Sequence, residues 1–179
     1  MAIIISGVGH LHQHIMTLQR DPEYYRPTRC PPCGMSGLHC HGFYVRKANR
    51  RAVEFETDEM IAIPRFRCPH CCVTCSSLPE VIPPRRHYLW CWQQLVLTLL
   101  LGGMSLNAVA KQVRPSRKTI KRWFDRLKSR FAPDTAALRN RFAELGRSNG
   151  FTECWQTCLA KISLASAMFH IHDSGTSIP

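Results

Sequence analysis

The feature that most constrains this chain is a pair of matched motifs, Cys30-Pro31-Pro32-Cys33 and Cys68-Pro69-His70-Cys71. Each Cys-x-x-Cys is a tight turn that presents two thiolates to one ion, and Zn2+ takes four such ligands in a tetrahedron at about 2.3 Å. Pro31 and Pro69 stiffen the turns, and Gly34 follows the first pair where backbone amides must turn toward sulfur. Between the pairs, 41–46 and 52–56 read as strands joined by a polar turn over 47–51, and 60–63 leads into a third strand at Arg65-Phe66-Arg67. Two knuckles joined through a small sheet make a zinc ribbon, with Cys30, Cys33, Cys68 and Cys71 as expected ligands.

The cysteines admit other assignments. Buried structural thiols do not explain why the same spacing recurs at both ends of a hairpin. A redox pair needs a βαβ setting that neither motif has. Cys72 and Cys75 also have Cys-x-x-Cys spacing and compete for the second knuckle, although Pro69 matching Pro31 favours Cys68/Cys71. Cys40, His39 and His41 are reserve ligands. Cys91, Cys154 and Cys158 fall on helical faces as packing residues. His10, His12 and His14 read as polar surface groups in preference to a metal tract.

The chain has 179 residues, 45% of them hydrophobic, enough for a packed core. Its formal net charge is +12, which attracts polyanions, of which nucleic acid is the usual one; a membrane surface or ribosomal RNA would also fit the charge alone. The start, Met1 to Gly7, lacks the basic opening and cleavage signal of a secretory peptide. The apolar run Trp90 to Leu101 is shorter than the roughly 20 residues of a membrane span. The expectation is a cytoplasmic protein with no membrane partner, in which clustered cysteines mean metal.

The pattern becomes helical beyond Pro83-Pro84. Leu89, Trp92, Leu95, Val96, Leu99 and Leu100 form an apolar face closed by Gly102-Gly103. Ser105 caps a short helix through Gln112, Pro115 breaks the chain, and Ser116 caps a longer helix to Phe131. Leu106, Val109, Ala110 and Val113 face inward on the first of these two helices, and Ile120, Trp123, Phe124 and Leu127 on the second. This is a helix-turn-helix pattern. Arg117, Lys118, Thr119, Lys121, Arg122 and Arg126 face outward, opposed locally only by Asp125, as the expected DNA-binding residues. Further on, Leu138, Phe142 and Leu145 share one helical face ended by Gly146, and Asn149-Gly150 forms a turn. Thr152 caps one last helix with Trp155, Leu159, Ile162, Ser166 and Phe169 along a seam.

Residues 29–34, 41–47 and 65–71, with Ser76-Ser77-Leu78-Pro79, resemble the zinc ribbon of bacterial insertion-sequence transposases, and the helix-turn-helix follows where that family places it. The resemblance covers about residues 28–131; the stretch around Trp155 and Ser166-Ala167-Met168 resembles the ending of short proteins of that group. It departs from the pattern at Cys72, where glycine is usual, and at Cys75, where an aromatic is usual. The resemblance implies binding of transposon-end DNA and a mobile-element origin, but it does not imply catalysis.

The expected fold is α+β: an N-terminal segment (1–27), a zinc-ribbon β domain (28–82), a helix-turn-helix region (83–132), and C-terminal helices with a tail (133–179). The expected function is sequence-specific binding of double-stranded DNA without a catalytic domain. Zn2+ is the cofactor, a separate transposase subunit is a possible partner, and a homodimer would suit paired half-sites. A complete transposase would need carboxylates converging on metal. Beyond the helix-turn-helix stand only Asp134, Glu144, Glu153 and Asp173, in helices and tail, and the acidic cluster Glu54, Glu56, Asp58 and Glu59 reads as a solvated strand edge. A host transcription regulator would carry the same residues. An RNA-binding ribbon is disfavoured by the helix-turn-helix.

Overall fold

The computed structural model describes residues 2–47, 60–84, 88–148 and 150–174. It is a mixed α+β protein of two compact units, Met1–Leu89 and Trp90–Pro179. The expected strand at 52–56, the turn beyond Lys47, the acidic cluster at 54–59 and Asn149 lie outside the described residues.

The first unit is built on four strands: β1 (Ala2–Ile5), β2 (His39–Lys47), β3 (Met60–Arg67) and β4 (Thr74–Pro79). Their order is β1-β4-β3-β2, with β1 parallel to β4 and the other pairings antiparallel. Met60–Arg67 forms one continuous strand. β4 carries only a weak alternation signal, yet it joins both neighbours: Ala2 pairs with Ser76 and Ile5 with Pro79, while Arg65 pairs with Ser76 and Arg67 with Thr74. The register of β2 against β3 slips between Cys40, opposite Phe66, and Phe43, opposite Pro64. Gly42 within that slip has φ 76°, the left-handed conformation that a bulge demands and that costs glycine little. Pro64 sits beside the bulge, where its missing N–H is tolerated.

Helix α1 (Leu11–Arg20) leads into a 3-10 turn, Pro22–Tyr25. Leu11 and Ile15 join a core of Ile61, Ile63, Leu78 and Ile82, while Leu18 joins a second cluster with Val8, Tyr25, Leu38 and Phe66. That second cluster also contains Cys30, Cys68 and Cys75, so the knuckles are continuous with the packed interior.

The second unit is helical among its described residues: α2 (Trp90–Leu101), α3 (Leu106–Gln112), α4 (Arg117–Ser129), α5 (Phe131–Arg139), a 3-10 turn (Ala143–Arg147), α6 (Phe151–Lys161) and α7 (Leu164–Asp173). Gly103 ends α2 at φ 91°, with the Met104 amide donating to Leu99 O at 3.1 Å and the Gly103 amide to Leu100 O at 3.1 Å. This is the Schellman arrangement. Trp90, Leu97, Leu101, Leu127, Leu138, Trp155, Leu164, Met168 and Ile171 form the core. Leu95, expected on the apolar face of α2, is exposed, because the buried stripe runs through Trp90, Gln93, Val96, Leu97 and Leu101.

Several helix boundaries differ from expectation. α4 ends at Ser129, and Phe131 opens α5. α5 ends at Arg139, so Phe142 and Leu145 fall on the following turn. The single C-terminal helix is two: α6 stops at Lys161 and Ser163 caps α7 by accepting the Ser166 amide at 3.1 Å. The seam from Trp155 to Phe169 therefore does not run along one helix. The residue preceding α6 is Gly150 at φ 93°, and its carbonyl accepts the Cys154 amide; Thr152 lies inside the helix.

Candidate metal centre and nucleic-acid interface

The two knuckles have the same backbone. The amide of Cys30 donates to Met35 O (2.8 Å) and that of Gly34 to Cys30 O (2.7 Å); the amide of Cys68 donates to Val73 O (3.0 Å) and that of Cys72 to Cys68 O (3.0 Å). In each, the residue four after the first cysteine is left-handed: Gly34 at φ 72° and Cys72 at φ 59°. These turns stand on the loop before β2 and on the β3–β4 connection, and the antiparallel β2–β3–β4 sheet brings them face to face.

The ligand atoms of Cys30, Cys33, Cys68 and Cys71 all lie within 4.8 Å of one another. Cys30 Sγ is 3.5 Å from Cys71 Sγ, and Cys33 Sγ is 3.6 Å from Cys68 Sγ. A tetrahedron with metal–sulfur bonds of about 2.3 Å needs sulfurs about 3.8 Å apart, so the donor set fits a metal ion of that size. The electrostatics point the same way. Amides of Cys71 and His70 turned toward Cys68 Sγ lower its pKa to about 6. The Cys33 amide favours the Cys30 thiolate, yet burial and the other three sulfurs push Cys30 up to about 12. Four thiolates this close repel one another unless a cation sits among them.

The competing ligands are elsewhere. Cys75 is buried, with its thiol donating to Phe66 O at 3.6 Å. Cys72 is exposed on its left-handed turn, and Cys40, His39 and His41 are exposed on β2. In the second unit Cys154 and Cys158 are packing residues in the core, whereas Cys91 is exposed.

His14 was expected at the surface and is fully buried. Its Nε2 lies 3.0 Å from Ala62 O and its Nδ1 2.6 Å from the Tyr25 hydroxyl. A carbonyl can only accept, so Nε2 carries the proton and Nδ1 accepts from Tyr25. Burial holds the His14 pKa below 6.5, the Ala62 bond only partly opposing it. His10 and His12 are exposed as expected. The polar signal that could have found His14 is its place on the same helical face as Leu11 and Leu18.

On α3 and α4 the local signals act as the residue types dictate. Ser105 accepts the Ala108 amide at 3.2 Å and Ser116 accepts the Thr119 amide at 3.3 Å. Val109, Ile120, Trp123 and Leu127 are buried, while Leu106, Ala110, Val113 and Phe124 are half-buried. Arg117, Lys118, Lys121, Arg122 and Arg126 are exposed, and Thr119 is half-buried beside the Ser116 hydroxyl. Lys121 is paired with Asp125, and Arg117 Nε donates to Asn107 Oδ1 on α3 at 2.7 Å. Arg130 continues the row of Arg122 and Arg126 at four-residue spacing, but it turns to the buried Asp134 at 3.2 Å. No helix among the described residues is long and apolar enough to cross a membrane.

A family model described as a domain of unknown function, DUF6431, matches residues 30–123. That span runs from the first knuckle cysteine to Trp123 of α4 and covers more than half of the chain. The chain belongs to this family. No curated protein and no solved structure matches it.

Proposed function

We propose that this member of the DUF6431 family is a zinc-stabilised, sequence-specific binder of double-stranded DNA in the cytoplasm of a bacterium, serving a mobile element without catalysing strand transfer itself. The α3–α4 pair is read as a helix-turn-helix with α4 as its recognition helix. The observation that carries this reading is the division of α4: Ile120, Trp123 and Leu127 are buried, while Arg117, Lys118, Lys121, Arg122 and Arg126 project on the exposed side. Its first turn holds two cations and no acid. Cations there oppose the helix dipole, a local cost that a bound phosphate backbone would offset.

The knuckle cysteines would hold Zn2+, and the bound ion would supply a cross-link between the two turns, with no part in chemistry. Cys30 and Cys33 fix one turn and Cys68 and Cys71 the other, while the amides around them orient the sulfurs. The transposon-end assignment rests on the resemblance of residues 29–34, 41–47 and 65–71 to insertion-sequence ribbons. The absence of catalysis is inferred from how the downstream carboxylates are placed. Asp134 on α5 is paired with Arg130, Glu144 on the 3-10 turn with Lys161 and Asp173 on α7 with Arg141, and Glu153 stands in the first turn of α6, so the four lie on separate elements. The deciding experiment is selection of duplexes from a randomised pool by the full chain, followed by titration at several salt concentrations. Enrichment of one motif with a steep salt dependence supports the reading; no enrichment and no duplex binding at low salt refutes it.

A further inference from the structure

We infer that Asn107 and Arg117 form one base-reading unit, in which Asn107 on α3 orients the Arg117 guanidinium toward a guanine in the bound duplex. This rests on the DNA-binding reading of α4 and adds to it a specific base class and a positioning residue.

The cations of α4 are not equivalent. Lys121 is engaged by Asp125 one turn along its own helix. Arg117 is the first residue of α4, and its partner comes from the other helix: Nε donates to Asn107 Oδ1 at 2.7 Å. Both residues are exposed, so packing does not account for the contact. The Nε–H is the side donor of the guanidinium. With it occupied, the plane is set by Asn107 while the two terminal nitrogens keep a donor fork. That fork matches the N7 and O6 acceptors of guanine in the major groove, the commonest bidentate contact to a base edge. Adenine presents an amino donor in place of O6 and would leave one arm of the fork opposed to a donor. Asn107 carries no charge, so it restrains the arginine without neutralising it. Residues at the start of a recognition helix are also those that meet base edges, and Ser116 anchors this start by accepting the Thr119 amide.

The orienting contact also limits entropy loss. A free arginine must surrender several rotamers on binding, and that loss of freedom opposes association. The Asn107 contact takes part of that cost in the unbound protein. Asn107 is a positioning residue here, and its effect passes through Arg117.

The test is a double-mutant cycle on the duplex enriched from a random pool by the full chain, with 7-deazaguanine placed at each guanine in turn. Removing N7 from the guanine read by Arg117 should weaken wild-type binding about tenfold. The same duplex should bind Arg117→Ala no worse than the unmodified one. Asn107→Ala should lose about threefold to tenfold on the unmodified duplex, and lose nothing further in the Arg117→Ala background. The salt slope of Asn107→Ala should stay at the wild-type value, because no phosphate contact is removed. An enriched site without guanine, an N7 effect that persists in Arg117→Ala, or an Asn107→Ala loss undiminished in that background overturns the inference. Lys118→Ala and Arg122→Ala separate the two levels. If they weaken binding while the cycle shows no coupling, only this inference falls. If neither they nor Arg117→Ala affects affinity, the assignment of α4 as reader falls with it. Circular dichroism of each variant establishes that it is folded.

Discussion

Gly34 and Cys72 stand at the same place in the two knuckles, each donating its amide to the carbonyl of the first cysteine and each with a positive φ, 72° and 59°. Among the described residues Cys72 is the one non-glycine in that region. A side chain there costs about 1 kcal/mol. Cys72→Gly should therefore preserve metal binding and raise the thermal midpoint of the metal-loaded protein, with any gain reduced by glycine's freedom in the unfolded chain. Gly34→Ala should destabilise the protein by about 1–2 kcal/mol, although no atom beyond its chain neighbours stands within 4 Å of the added carbon. Thermal melts of the two variants check the pair; equal stability of Gly34→Ala and wild type would contradict the account.

Metal content follows from the same geometry. One Zn2+ per chain should be found by elemental analysis, and a strong chelator should lower the thermal midpoint of the first unit, because the ion cross-links two turns whose Cys30 and Cys68 belong to its packed interior. Cys30→Ser and Cys68→Ser should lose the metal. Cys72→Ser and Cys40→Ser should keep it, since those thiols are exposed and apart from the cluster.

His14 makes the first unit sensitive to acid. Its folded pKa lies below 6.5 because burial disfavours the imidazolium. The unfolded chain therefore takes up a proton first as pH falls. The contribution of neutral His14 is fully present above 6.5 and is lost progressively below it. His14→Gln should be less stable at pH 8, and the difference between variant and wild type should shrink between pH 6.5 and 5. Urea melts across that range give the answer, and a constant difference would mean that His14 does not titrate on unfolding.

On α4, Lys118→Ala and Arg122→Ala should each weaken duplex binding and reduce the magnitude of the salt slope by about one. Asp125→Ala should strengthen binding, because it removes the only acid on the helix and releases Lys121. Trp123→Ala should cost about 3–5 kcal/mol of stability, as expected for a buried aromatic. Binding isotherms at three salt concentrations, with melts alongside, distinguish the two kinds of effect.

Arg130→Ala should destabilise the second unit by about 3 kcal/mol, since it leaves a buried carboxylate without its cation. Asp134 is fully buried and its Oδ2 has no hydrogen-bond partner, so Asp134→Asn in the Arg130→Ala background should recover part of the loss. Denaturant melts of the single and double variants measure it.

What could be read from the sequence is what short-range chemistry governs. Cys30/Cys33 and Cys68/Cys71 announce two turns and a shared cation because ligand spacing lies within four residues. Ser105, Ser116 and Gly103 mark helix ends because caps act within one turn. The inward and outward faces of α4 follow from a 3.6-residue period. Ser163 carries the same local signal and caps α7, which divides the apolar spacing from Trp155 to Phe169 between two helices. The remainder depended on partners far apart in the chain. β4 is a strand because β1 and β3 flank it, and its own alternation is weak. His14 is buried because Ala62, 48 residues away, presents a carbonyl to its ring. Arg130 leaves the basic face because Asp134 lies buried one turn beyond α4, and Arg117 is oriented because α3 brings Asn107 to its Nε. A local pattern specifies which groups a segment offers. Which of them meet is decided when the chain folds back, since hydrogen bonds and ion pairs depend on distances in space that residue order alone does not encode.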